Sequence, residues 1–171
     1  MSKPRIISGS AKGRALEVPK EGTRPSPGML RQALFNILEF YPRGTFLDLF
    51  SGSGAIGLEA ASRGWEVSCV ELDQEAAKVI RRNASKLNLK VKVIQDDALQ
   101  FIQTSTPFDV VFAAPPYPLE LGHIFQTILD SKVAKDKGIY IFQHPKELDV
   151  HLLASKRIYG SNALSIIKAP L

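Results

Sequence analysis

Cysteine is nearly absent, with Cys69 standing alone in 171 residues. A lone thiol excludes an internal disulfide framework and fits a reducing compartment. Histidine is scarce as well. His123, His144 and His151 share no ligand spacing with one another or with Cys69, so no metal site is expected. No run approaches the roughly 18 consecutive apolar residues that a membrane-spanning helix needs. Met1-Ser2-Lys3-Pro4-Arg5 leads into no apolar segment, so no signal peptide is expected. The cytoplasm is the expected location and a monomer the expected state.

Acidic side chains are missing where basic ones gather. Residues 1–31 hold Lys3, Arg5, Lys12, Arg14, Lys20, Arg24 and Arg31 against Glu17 and Glu21, so the whole formal charge of +5 sits there. Such a patch is the footprint of a phosphate backbone or another polyanion. A solvated terminus that only aids solubility is the other reading. What the chain does have, 44% hydrophobic and 23% charged residues, suits one domain over 1–171, with 1–43 as a basic hairpin-and-helix extension.

Two short extended pieces, 5–8 and 15–18, flank a Gly9-Ser10-Ala11-Lys12-Gly13 turn and read as a weak hairpin. After the prolines at 25 and 27, apolar residues at helical spacing predict a helix over 29–40. Beyond Gly44, strands are predicted at 45–50, 67–71, 91–94, 109–113 and 139–143. Helices are predicted between them at 56–62, 75–87, 98–103 and 124–131. Short strands alternating with helices specify an α/β fold, a parallel sheet covered on both faces. The tail breaks the alternation. Segments 156–159 and 164–167 have no helix between them and should pair antiparallel at one edge.

The most informative stretch is Phe46-Leu47-Asp48-Leu49-Phe50-Ser51-Gly52-Ser53-Gly54-Ala55-Ile56-Gly57. It runs from an apolar strand through a G-x-G-x-x-G turn into a helix, the pattern of a nucleotide-binding turn. Glu71 closes the next strand, where a carboxylate can accept from a ribose diol. A dinucleotide would place its pyrophosphate at the helix N-terminus. Asp48 points an anion towards the turn and favours a cationic ligand part instead, such as the amino group or sulfonium of S-adenosylmethionine. Asp97 adds a third acid at the same edge, as an acceptor for an adenine amine and as a helix N-cap. Asp48, Ser51, Gly52, Ser53, Gly54, Glu71, Leu72, Asp97 and Ala98 form the expected cofactor-binding set. An NAD-dependent oxidoreductase with the same glycine turn is the rival reading.

The fourth strand ends in Ala113-Ala114-Pro115-Pro116-Tyr117-Pro118. Prolines donate no hydrogen bond, which leaves the carbonyls of Ala114 and Pro115 to accept from an amine while Tyr117 offers a ring face. That chemistry suits an exocyclic base amine, oriented by its acceptors and held by stacking. Ala114, Pro115, Pro116 and Tyr117 are the candidate catalytic residues. Cys69, inside the second strand, reads as a small core residue.

Assembled, these residues resemble the RsmD family of 16S ribosomal RNA guanine-N2 methyltransferases. The likeness runs from Arg5-Ile6-Ile7-Ser8-Gly9 and Gly13-Arg14-Ala15-Leu16 through Gly22-Thr23-Arg24-Pro25 and Arg31-Gln32-Ala33-Leu34-Phe35-Asn36. It continues into 47–60 and closes on Tyr159-Gly160-Ser161-Asn162-Ala163-Leu164. The resemblance implies a Rossmann-like class I methyltransferase with a seven-stranded, mostly parallel sheet and S-adenosylmethionine as donor. It implies a guanine of 16S rRNA as acceptor, of the guanine-966 type, on the assembling 30S subunit. Arg5, Lys12, Arg14, Arg24 and Arg31 would then contact rRNA phosphates, which position without reading sequence. The family motif usually carries Asp or Asn before Pro-Pro-Tyr, and here that place is Ala114. Either backbone carbonyls suffice, or Tyr117, Gln143 or His144 supplies the missing acceptor, or the chain is a silent rRNA-binding module. Methylation of a DNA amine is a further alternative.

Overall fold

A computed structural model describes residues 3–20 and 27–171. The elements in chain order are α1 (Gly28–Ile37), β1 (Thr45–Leu49), α2 (Ala55–Ser62), β2 (Glu66–Glu71), α3 (Gln74–Lys86) and β3 (Val91–Gln95). They continue as α4 (Ala98–Thr104), β4 (Phe108–Ala113), α5 (Leu121–Asp130), β5 (Ala134–Pro145), β6 (Ser155–Tyr159) and β7 (Asn162–Lys168). Among the described residues, no helix is long and apolar enough to cross a membrane.

The seven strands form one sheet in the order β3-β2-β1-β4-β5-β7-β6. β1 to β5 run parallel, and β7 lies antiparallel to both β5 and β6. The tail is thus antiparallel as expected, but β7 is inserted between β5 and β6. The reason lies in burial: β7 carries a run of buried residues from Ala163 to Ile167, whereas β6 is largely exposed. The more apolar strand takes the interior place and the polar one guards the edge.

Alternation along the strands divides the core between two faces. Phe46, Val67, Val110, Phe112, Ile139, Ile141 and Leu164 face α1, α2 and α3. Leu47, Leu49, Val70, Val111, Tyr140, Phe142 and Ile167 face α4 and α5. Phe125 stacks on Phe142 with ring centroids 4.4 Å apart, and burying each such ring contributes roughly 1.5–3 kcal/mol.

Three differences from the sequence-based expectation stand out. α1 ends at Ile37 rather than 40, because Pro42 disfavours helical geometry at the residue before it and the chain leaves through a Leu38–Tyr41 turn. β5 begins at Ala134, ahead of its apolar stretch. Its exposed Lys135-Asp136-Lys137 segment carries no hydrophobic signal and falls in the register shift between the pairs Phe108–Ala134 and Val110–Ile139. The N-terminal hairpin reduces to a single antiparallel bridge, Arg5 with Ala15, closed by Ile6 N–H on Arg14 C=O at 3.0 Å.

Candidate active site at the carboxyl ends of the strands

The strand order reverses between β1 and β4, which opens a crevice beyond their carboxyl ends, the ligand position of open α/β sheets. On the β1 side the chain turns through left-handed backbone at Phe50 (φ 59°), Gly52 (φ 57°) and Gly54 (φ 80°). A Cβ at Gly54 would lie 2.7 Å from Ile80 Cγ1, so the turn and the packing of α3 both require glycine. A Cβ at Gly57 would lie 2.3 Å from Cys69 Sγ, so the close seating of α2 on β2 requires glycine as well.

Carboxylates hold this turn. Glu71 Oε1 accepts from Gly52 N–H at 2.7 Å, and its Oε2 accepts from Asp73 N–H at 2.8 Å. Asp48 approaches from beneath, with Oδ2 accepting from Gly57 N–H at 3.0 Å. It is 1% exposed, and burial pushes its pKa up from 3.8 to about 7, against the opposing pull of the Gly57 and Ser51 hydrogen bonds. Asp48 is therefore a brace under the turn, not the open counter-charge that the spacing had suggested. Ser51 Oγ donates to Asp48 C=O at 2.7 Å and Ser53 Oγ accepts from Ala55 N–H at 3.3 Å, so both serines shape the turn. Leu72 is 66% exposed beside Glu71 and offers an open apolar face. Asp97 caps α4, its Oδ1 accepting from Leu99 and Gln100 N–H at 2.9 and 3.1 Å, with Ala98 buried behind it. Cys69 is buried with its thiol pKa raised by burial, an inert core residue.

Across the crevice, β4 delivers Ala114 half-buried, Pro115 buried, and Pro116 and Tyr117 exposed. Leu119 N–H closes the following turn on Pro116 C=O at 3.1 Å. The Tyr117 hydroxyl donates to Asn162 Oδ1 at the start of β7. Burial raises the Tyr117 pKa, and a hydrogen bond from Gln143 partly opposes it. His144 is fully buried. Its Nδ1 lies 2.7 Å from Pro145 C=O, which can only accept, so Nδ1 carries the proton and Nε2 takes the Ser165 hydroxyl at 2.6 Å. His144 is a neutral structural residue and not a wall of the crevice.

The family model described as Conserved hypothetical protein 95 matches residues 4–168. Ribosomal RNA small subunit methyltransferase D of Buchnera aphidicola is 32% identical, over 85% of this chain and 81% of that protein. The chain belongs to the RsmD family. A solved hypothetical protein of Thermus thermophilus superposes with TM-score 0.92 at 43% identity, covering 97% of this chain and 99% of that one. A Thermus thermophilus 16S rRNA N2 G1207 methyltransferase, solved with AdoMet and guanosine, superposes with TM-score 0.73 over 87% of this chain and 44% of that one. At 18% identity it speaks for the fold alone, which is that of class I methyltransferases.

Within this RsmD-family chain the basic arm divides into two kinds of cation. Arg5, Lys12 and Arg14 are exposed. Arg31 is not: it is 4% exposed, with Nη1 donating to Arg5 C=O at 3.0 Å and to Glu59 Oε1 at 3.4 Å. This corrects its expected place among the RNA contacts, since a buried guanidinium cannot reach a phosphate. Arg24 and the Thr-Arg-Pro element lie outside the described residues. Sequence reasoning missed the clamp that docks the arm on α2. Glu59, fully buried, accepts from Ile7 and Ser8 N–H at 2.7 and 3.1 Å and from Arg63 Nε at 2.8 Å. Ser62 Oγ donates to Ser8 C=O at 2.7 Å and accepts from Ala11 N–H at 2.9 Å. The arm is thus fastened to the helix that leaves the glycine turn. Asn162 was also missed as a partner for Tyr117, 45 residues away, because no local pattern links them.

Proposed function

We propose that this chain transfers a methyl group from S-adenosylmethionine to the exocyclic N2 amine of a guanine in 16S ribosomal RNA, of the guanine-966 type, on the assembling 30S subunit. The observation that carries the reading is the pairing of two halves across one crevice: a carboxylate-held glycine turn on β1 and β2, and a proline-rimmed, tyrosine-flanked slot on β4. The names of the relatives, which act on small-subunit rRNA, support the substrate class.

The residues present fit the cofactor. Each Glu71 oxygen uses one acceptor position on a backbone N–H and keeps another for a ribose hydroxyl. Leu72 covers an adenine face, and Asp97 accepts from the adenine amine while capping α4. The left-handed turn lets backbone approach the methionine part closely. When bound, S-adenosylmethionine supplies an electrophilic methyl carbon whose departing sulfur keeps the bonding electron pair. The chain's own part is positional. Tyr117 stacks on the extruded base, and the carbonyls of Ala114 and Pro115 turn the amine so that its lone pair points across the crevice. Alignment of this kind supplies up to roughly 7–11 kcal/mol of a barrier. The methylated nitrogen then releases its proton to water, so no strong base is needed. Arg5, Lys12 and Arg14 hold the rRNA backbone from the docked arm.

Ala114 favours a second reading, a silent rRNA-binding module. Methyl transfer from labelled S-adenosylmethionine to 30S particles lacking the modification decides between them, with the product base located by mass spectrometry. Incorporation at a guanine N2 is expected. Salt-sensitive rRNA binding without incorporation would establish the silent module. Calorimetric binding of NAD but not S-adenosylhomocysteine would overturn both.

A further inference from the structure

An amine gripped in this slot needs acceptors, and the side chains around it can be taken in turn. Asn162 Oδ1 already receives the Tyr117 hydroxyl. Tyr117 gives that proton to Asn162, and its contact with Gln143 pulls its pKa down against the rise from burial. Both nitrogens of His144 are engaged deep in the sheet. Of these side chains Gln143 is the one whose acceptor oxygen is wholly unused. Its Oε1 is shut off from water with no hydrogen-bond partner.

Among the described residues one other buried side-chain polar atom lacks a partner, Arg63 Nη2, and that guanidinium lies over the Phe35 ring at 4.7 Å. No such contact accounts for Gln143. A buried acceptor left unpaired is a deficit that a bound donor would relieve.

The register places it. Phe112 pairs with Ile141 and Ala113 with Phe142, so the next residues, Ala114 and Gln143, are neighbours just beyond the paired ends. Residues two apart on a strand share a face. Ile139, Ile141 and Leu164, the partner of Gln143, all lie in the core beneath α1 and α2, against which Ala114 also packs. Gln143 therefore stands beside the bare methyl of Ala114, on the face from which α2 leaves the glycine turn.

We infer that the Gln143 amide, enclosed in the structure, turns about its side-chain bonds toward an entering base so that its carbonyl accepts a hydrogen bond from the exocyclic amine, supplying from β5 the acceptor that Ala114 does not supply from β4. The inference rests on the proposed amine methylation. It makes Gln143 selective for bases that present an N–H at this point, because a keto group would meet the carbonyl oxygen with another acceptor. Gln143 takes no proton: the N–C bond forms, the S–C bond breaks with its electrons left on sulfur, and the proton leaves to water.

Three variants test it: Gln143→Met, which keeps the volume without the acceptor, Gln143→Glu, which keeps an acceptor, and Gln143→Met combined with Ala114→Asn. Methyl transfer to 30S particles gives kcat and KM, and calorimetry with S-adenosylhomocysteine reports on the cofactor half. Gln143→Met should lower kcat by about 10–100-fold, with cofactor affinity unchanged, the scale set by losing one oriented hydrogen bond. Gln143→Glu and the double variant should each recover at least about tenfold of that loss. Turnover of Gln143→Met within about twofold of the parent would overturn the inference while leaving the methylation reading intact. A loss that neither acceptor restores would also overturn it, since it would mark a purely structural amide. If the unaltered chain methylates no guanine, the underlying reading fails first and the inference with it.

Discussion

β1, β2 and β3 end in groups whose carboxylates the chain itself already holds; β4 and β5 end in groups that it holds only in part. Glu71, Asp48 and Asp97 each accept backbone N–H bonds that fix the loops around them. Beyond β4 and β5 stand a tyrosine ring 41% exposed and a glutamine oxygen without a partner. The cofactor half is built before its ligand arrives, and little ordering remains to oppose binding. The acceptor half carries an unmet hydrogen-bonding demand that only a substrate with the right donors satisfies. On the proposed reading, affinity belongs to the first half and selectivity to the second.

The contrast breaks hardest at Glu71. Glu71→Ala removes both the loop clasp and the proposed ribose contact, and should weaken S-adenosylhomocysteine binding by about 100-fold, or roughly 2.7 kcal/mol; calorimetry would show it, and unchanged affinity would remove Glu71 from the cofactor half. Tyr117→Ala tests the other side. Turnover on 30S particles should fall by about 10–30-fold, roughly 1.4–2 kcal/mol of base stacking, while cofactor affinity stays level. A joint loss of both would mean that the halves are not separable.

Asp48 sharpens the contrast through pH. Its pKa lies near 7 in the fold against an ordinary 3.8, so the folded chain keeps a proton that the unfolded chain releases. That contribution to stability is fully present below about pH 4 and is lost as pH rises through about 7. Asp48→Asn keeps an acceptor for Gly57 N–H without the buried charge. It should flatten the dependence and add about 1 kcal/mol near pH 8, read as a higher melting temperature there than in the parent. The smallest effect concerns the arm. Replacing Arg5, Lys12 and Arg14 by Gln should weaken rRNA binding evenly and reduce the salt slope by about one for each phosphate no longer engaged. Cofactor affinity should not move, and an unchanged salt slope would take the arm away from the RNA.

The two halves were not equally legible. The glycine turn and Glu71 stand out because spacing along one strand-turn-helix unit decides them, and the structure places them together as that spacing required. The acceptor slot was visible as far as Pro115, Pro116 and Tyr117, whose backbone limits are local. Its other wall was legible only as an open choice among Tyr117, Gln143 and His144. Gln143 is one polar residue in an apolar strand, and only the pairing of β4 with β5 shows what it stands beside. Arg31 misled for a related reason. In the sequence it is one more cation in a basic arm, yet Glu59, 28 residues away, draws it into the core.

From the residues in order came the α/β alternation, the antiparallel tail, the ligand-bearing end of the sheet and the family. Those follow from periodicity and turn chemistry, which act over a few residues of backbone. The fold alone decided which cations reach solvent, which carboxylate braces and which stays open, and that β7 rather than β6 lies inside. Burial and hydrogen-bond pairing depend on partners brought together across strands, and distance along the chain does not encode them.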